Sequence, residues 1–523
     1  MKIIKSLILV LLVTFAACDV DYFDSPNDPE SPTSPSVYNH AVNQTVNDFR
    51  DVWFSGRFTL ATMQYWQQSE YGDEDRYGYR ESMREAWAEF YYNLENLRQV
   101  ILLNESEDTK NEMSAYGDNE AQIACARIMM SYTFNVMADT WGDIPYYSYS
   151  TDDPEFQALR LGNVSQEDEV IAPVYATQQA VYEDILKQLD EAGDMLAGAS
   201  TGFTQGDMIY YGDVDLWRKF ANSLRLRIGL KIRGVNQAFA DQHINDAIAD
   251  GVIASNAENA DYQWGASDKN SAPMYYAWNV DKRSDFAVSN TFITMLKGEN
   301  LKDHALNDIT SNPFLGIVDP RIHIYAQRNS AGDYIGMPIA ENSDEAATFK
   351  FESLPGTAII DVPDFRSMLM EYAEVEFIRS ELNGWDQTHY ENGVRASMER
   401  WGVPTADIDT YIAALPAASE ETVLTQKYIS LYLDAHTAWA EYRRTGYPED
   451  ILKPGNDYSV VVPGEGQFDY TFNAIPSEIT NDLPTRMEYP SQESTLNEDS
   501  YLEAVSRLSN GDDLTSKLWW DQN

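Results

Sequence analysis

Gly198, Ala199, Ser200, Thr201 and Gly202 spell GxSxG, the spacing that presents a nucleophilic serine on a tight turn between a strand and a helix. Here a stretch of helical periodicity runs up to about Ala197. Gly198 therefore reads as a helix C-terminal residue entering a loop, and the motif lacks the context that would make Ser200 a nucleophile. The histidines His40, His243, His304, His323, His389 and His436 form no HExxH or other close pair, which argues against a zinc hydrolase. Asp73, Glu74 and Asp75, and Asp213 with Asp215, are acidic runs without the ligand spacing of a calcium loop. They read as solvated faces, with a structural calcium ion as the alternative; no catalytic metal or other cofactor is implied. A glycosidase needs two carboxylates flanking a bond. Among 84 acidic residues, spacing alone singles out no such pair.

Aromatic residues stand out instead, with 33 Tyr and 12 Trp beside 20 Phe. Tyr and Trp join an apolar face to a polar edge, which suits wet interfaces and the flat faces of sugar rings. Trp264, Tyr275, Tyr276 and Trp278 crowd together with Tyr262 in residues 256–363, where Gly, Asn, Asp and Pro break every helical pattern. Aromatic loops of this kind point to packing or to ligand binding. A second group, Trp66, Tyr71 and Tyr77, lies in YWQQSEYGDEDRYGY.

The elements that must position these groups are helical. Trp87, Phe90, Tyr91, Leu94, Leu97 and Ile101 follow helical spacing with one buried stripe. The same reading predicts helices over 122–137, 174–196, 216–232 and 243–253, and again over 367–382 and 421–443. The fold class is mostly α, with helix pairs joined by short loops and a less regular region packed over them. From Pro454 the chain reads as irregular, with Trp519 and Trp520 pinning the terminus.

Residues 1–17 read as an export signal: Lys2 and Lys5, an apolar run from Leu7 to Val13, then Ala16 and Ala17 before Cys18. The run is too short to span a bilayer. A cysteine at that point fits a lipid acceptor, with Phe15 departing from the usual leucine. Residues 18–36 then form a stiff tether with Pro26, Pro29, Pro32 and Pro35, and 37–523 a single body. The formal charge of −47 argues against nucleic acid and against a basic membrane-binding face. With Cys18 lipidated, Cys125 has no disulfide partner and reads as a small core residue.

Six segments in order resemble the SusD/RagB-like nutrient-binding lipoproteins of the Bacteroidetes outer membrane, in particular the SusD-like 2 branch. They are DTWGDIPY at 139–146, LWRKFANSLRLRI at 216–228, AEVEFIRSE at 373–381, AWAEYRRTGYP at 438–448, LPTRMEYPSQESTLN at 483–497 and LTSKLWWD at 514–521. The resemblance implies tetratricopeptide-like helix pairs, a lipid anchor in the outer membrane and exposure at the cell surface. Asp19, Asp21 and Asp24 look like the acidic export signal of such proteins. It also implies a partner, a SusC-like TonB-dependent transporter on which the lipoprotein acts as a lid, and a glycan or peptide nutrient as ligand. By that analogy Trp66, Tyr71 and Tyr77 border one pocket with Trp264, Tyr275, Tyr276 and Trp278. A nonenzymatic binder is thus expected; a surface glycosidase and a purely structural lid are the competing readings.

Overall fold

The structure is a computed structural model that describes residues 32–159 and 170–522. The expected signal segment, Cys18 and most of the proline tether lie outside the described residues.

The first helix, α1, spans Ser34–Arg50, with Pro35 in its opening turn. Proline is tolerated there because the first-turn N–H groups have no helical acceptor and its φ is already helical. The tether expected to reach residue 36 therefore ends in a helix start. Tyr38, Ala41, Val42, Val46 and Phe49 form the buried stripe of α1. Four more helices follow the periodicity closely: α2 (Ala86–Glu105), α3 (Asn119–Trp141), α4 (Gln178–Gly198) and α5 (Val214–Ile232). The shorter α6 is Gln237–Asp250. From α1 to α6, each helix packs on the next. In α3, every residue from Ala121 to Trp141 is buried, Cys125 included. It is the central rod of the stack.

Side chains cap the helices at loop entries. The Thr177 hydroxyl starts α4, and the Asp213 carboxylate accepts the Asp215 and Leu216 N–H groups at α5. Asp143, just past α3, accepts Gln178 N–H at 2.9 Å and Arg507 Nε at 2.5 Å. The DTWGDIPY segment thus joins α3, α4 and the C-terminal region. At the other end, Trp520 is buried and donates Nε1–H to the Tyr182 hydroxyl at 2.8 Å. Gln178 Oε1 accepts the Trp519 N–H at 2.8 Å.

The second half differs from the periodicity in four places. Residues 367–382, expected as one helix, split into a strand at Arg366–Met370 and the helix α7 at Tyr372–Leu382. Residues 421–443 split likewise into Glu420–Ser430 and Ala435–Thr445, broken at Leu433, where φ is 72°. Two further helices, α8 (Gln387–Arg400) and α9 (Thr405–Ala414), fill the space between, so the helices just named become α10 and α11. The tail beyond Pro454 contains an antiparallel hairpin, Asp457–Val462 with Gly466–Thr471.

Two short antiparallel pairs tie the irregular region to the helices. The first joins β1 (Trp66–Gln68) to β3 (Phe286–Val288), with Trp66 opposite Val288. The second joins β2 (Ala260–Gln263) to β4 (Arg366–Met370). Residues distant in sequence are thereby held against the C-terminal end of α1.

Candidate functional site

Immediately after α1 the chain winds into a π-helical segment, Val52–Thr59. Asp51 starts it, accepting the Trp53 and Phe54 N–H groups at 2.9 and 2.7 Å, while the Gly56 N–H closes on Asp51 O at 3.0 Å. Such windings recur at functional positions because the extra residue per turn re-aims side chains. Gly56 packs closely on its neighbour, since a Cβ there would meet the Phe286 ring at 3.1 Å and the ring would have to shift by a few tenths of an ångström. Trp53 remains half-buried at the surface. Burial pushes the Asp51 carboxyl up to about 7 against the Phe54 N–H bond that lowers it; Asp48 and Glu89 add to the rise.

Facing this segment, residues 268–281 form a 3₁₀ turn, a short helical turn and a second π-helical segment, Tyr276–Val280. Between the two lies an open cleft of about 750 Å³. Trp53 and Tyr276 supply its aromatic lining, Asn43, Gln44, Asn47 and Asn270 its amides, and Asp51, Asp268, Asp281 and Lys269 its charges. Its walls are cross-linked: Asn43 Nδ2 donates to the Tyr262 hydroxyl at 2.8 Å and to Asn270 Oδ1 at 3.2 Å. Asn279 Nδ2 donates to Ile360 O at 2.6 Å.

Behind Trp53 the Arg57 guanidinium carbon lies 5.0 Å from the Trp53 ring centre, 5.1 Å from that of Tyr71 and 5.6 Å from that of Phe286. Arg57 is buried and donates to Gln68 Oε1 at 2.6 Å and Asp285 Oδ2 at 2.8 Å. Cation–π contact and paired charge together hold the two outer rings in place.

The family model described as "Starch-binding associating with outer membrane" matches residues 26–464, and the one described as "Susd and RagB outer membrane lipoprotein" matches 418–521. This chain belongs to the SusD-like family. No curated protein sequence matches the SusD-like chain. Solved structures share its fold. A SusD homolog from Parabacteroides distasonis is 24% identical, with a TM-score of 0.73 over 94% of this chain and 98% of the other. A chitin-binding protein is 22% identical, with a TM-score of 0.71 over 93% and 100%. A chitin-binding SusD homolog from Flavobacterium johnsoniae is 21% identical, with a TM-score of 0.69 over 93% and 99%. The fold is accordingly the mostly α, tetratricopeptide-like one of SusD proteins.

The SusD-like fold divides the seven aromatic residues expected to bind ligand. Trp66, Tyr77 and Trp264 are core residues, 0%, 1% and 4% exposed. Trp66 is a strand residue that donates Nε1–H to the Tyr432 hydroxyl at 2.7 Å, and Trp264 donates to Ser367 Oγ at 2.9 Å. Tyr77 packs edge-on to Phe472. Trp66 and Tyr77, enclosed in this way, lie outside the cleft lining, whereas Trp264 reaches it. Trp278 and Tyr275 are half-buried, and Trp278 leans on Trp66 and Phe286. Tyr276 and Tyr71 are 40% and 38% exposed. Only Tyr276 and the edge of Trp264, among the seven, line the cleft. Trp53 is not among the sequence candidates; its place at the cleft surface goes with the π winding of Val52–Thr59.

The remaining motifs find structural partners. Ser200 donates its hydroxyl and its N–H to Asp118 Oδ2 at the start of α3, and among the described residues no histidine is bonded to it. Glu74 and Asp75, expected on a solvated face, are buried instead. Arg80 pairs with Glu74 at 2.7 Å, and Gln68 N–H donates to Asp75 at 2.8 Å. Asp213 is the cap of α5. Among the described residues no group of three or more His, Cys, Asp or Glu could hold a metal ion, and no helix is long and apolar enough to cross a membrane.

Proposed function

We propose that this SusD-like protein is a surface-exposed, nonenzymatic nutrient-binding lipoprotein, anchored through Cys18, that captures an oligosaccharide in the cleft between residues 43–53 and 268–281. In this reading it acts as a lid that delivers the ligand to a SusC-like TonB-dependent transporter. The observation that carries it is the lining: half-buried Trp53 and exposed Tyr276 beside four primary amides and three acidic side chains. Aromatic faces stack on the apolar faces of sugar rings, and amides and carboxylates answer their hydroxyl groups. A stacking contribution of roughly 1 kcal/mol per ring gives modest affinity, as capture and release require. Tyr71, Tyr275 and Trp278 flank the cleft and are assigned to a longer chain passing out of it. The chitin-binding relatives and the family description support a glycan over a peptide.

Calorimetry of the purified protein with neutral gluco- and N-acetylglucosamine oligosaccharides tests the reading. At least one series binds, and Trp53→Ala with Tyr276→Ala removes the binding. Peptide binding in place of glycan binding, or glycan binding untouched by the double variant, overturns the assignment. Sustained release of products from a polysaccharide would instead establish a glycosidase.

A further inference from the structure

We propose that the cleft selects its glycan by charge and takes amino-sugar chains carrying free ammonium groups in preference to acidic chains; this rests on the cleft being the glycan site. Three acidic side chains line it; Asp51, pushed up to about 7 by burial, is mostly protonated at pH 6, so Asp268 and Asp281 stand as the carboxylates against the single lining ammonium of Lys269. Among the described residues none of the three has an ion-pair partner. Asp51 accepts two backbone N–H groups, and Asp268 accepts the Tyr275 hydroxyl at 3.5 Å. Asp268 and Asp281 are exposed.

The protein's other cations near Trp53 do not cancel this charge. Arg57 is already committed to Asp285 at 2.8 Å and lies 3.7 Å from Glu74. Arg283 approaches the Trp53 ring at 5.9 Å from outside the lining and offsets part of the field at that edge. Beneath the floor, Asp48 and Glu89 add negative charge close to Asp51. The chain as a whole carries −47, so a polyanion approaches against both the local and the global field. Asp268 and Asp281 line the same cleft as Trp53 and Tyr276, so a ring stacked on either aromatic carries its substituents into a space that these carboxylates border. An ammonium substituent gains charge-assisted hydrogen bonds there; a uronate or sulfate meets like charge.

The test is calorimetry at pH 6 with three hexamers, of glucosamine, N-acetylglucosamine and galacturonate, at low and high salt. The glucosamine hexamer binds about fivefold to tenfold tighter than the N-acetylated one at low salt, and that advantage collapses near 0.3 M salt, where the Debye length is only about 6 Å. The galacturonate hexamer does not bind. In an Asp268→Asn, Asp281→Asn double variant the preference for the glucosamine hexamer disappears. Galacturonate binding as tight as glucosamine binding, or a preference that survives the double variant, overturns the proposal. If neutral gluco-oligosaccharides bind but neither amino-sugar hexamer does, the charge selection fails while the cleft remains a glycan site. If no glycan binds, both fail.

Discussion

Arg57 and Trp53 share one π-helical segment, and the Arg57 guanidinium carbon lies 5.0 Å from the centre of the Trp53 ring. The same guanidinium stands 5.1 Å from Tyr71 and hydrogen-bonds Asp285, next to β3. One buried cation therefore joins the surface aromatics to the strand pair beneath them.

Arg57→Lys keeps the charge and loses the planar fork that stacks on rings and bonds carboxylates in two directions. Its expected effect is a loss of glycan affinity of about fivefold, with the fold retained. Arg57→Met goes further, because Gln68 and Asp285 lose their buried donor while Glu74 keeps Arg80 at 2.7 Å, and should cost on the order of 1–3 kcal/mol in stability. Calorimetry and urea denaturation separate the two effects. Equal affinity in the wild type and the lysine variant would remove Arg57 as a positioning residue.

Trp53→Ala and Trp264→Ala should fail in opposite ways. Trp53 is half-buried and lines the cleft, so its loss weakens binding about fivefold to tenfold with a small change in stability. Trp264 is enclosed, stacked edge-on to Tyr262 and bonded to Ser367, so its loss costs about 3–5 kcal/mol of folding free energy. Denaturation midpoints measured beside binding constants check the pair. A Trp264→Ala protein of normal stability that binds no glycan would return Trp264 to the site.

The contrast between these two tryptophans marks what the sequence makes legible. Helical periodicity locates α2 to α6 because each buries a stripe or a whole cylinder against its neighbours. It misses the start of α1, where Pro35 looks like tether yet occupies a first turn, and the break at Leu433, which no glycine or proline announces. Around the cleft, composition identifies an aromatic-rich region but not which rings face water. That is decided by the β1–β3 and β2–β4 pairs, which enclose Trp66 and cover Trp264, and by the π winding that carries Trp53. All of these rest on contacts between residues far apart in sequence.

Stability should rise as the solution is acidified from pH 8 to about pH 5. Burial pushes the carboxyls of Asp75, Asp51 and Asp450 up to about 8, about 7 and about 6. The folded state then binds more protons than the unfolded chain between about pH 4 and these values, so stability falls as pH climbs through that window. Burial lowers His436 to about 3 and His243 to about 4, so below about pH 6.5 the unfolded chain takes up protons that these two do not and part of the gain is lost. Asp434 and Glu441 also act the other way. Despite burial, Arg50 holds Asp434 low, and Arg444 and Lys427 hold Glu441 low, so their stabilisation is lost only on further acidification. A melting temperature about 3–5 °C higher at pH 5 than at pH 8 is expected, with the slope reduced in Asp75→Asn. A melting temperature that increases from pH 5 to pH 8 would contradict this balance.

Arg227 and Glu374 form a buried charge pair between the two halves of the protein. Both are buried, with Nε to Oε1 at 2.7 Å and Nη2 to Oε2 at 2.5 Å, and Arg227 Nη2 also donates to Leu369 O at 3.0 Å. The contact therefore links α5 to both β4 and α7. Removing one partner strands a charge in the interior: Glu374→Gln leaves Arg227 with Asp434 at 3.9 Å as its nearest carboxylate. The expected cost is about 3–5 kcal/mol. Replacing both by methionine removes the desolvated charges together, so the double variant should lose less than the sum of the single changes, by about 2 kcal/mol or more. Urea denaturation of the two single variants and the double variant measures this coupling. Strict additivity would mean that the two charges do not stabilise each other.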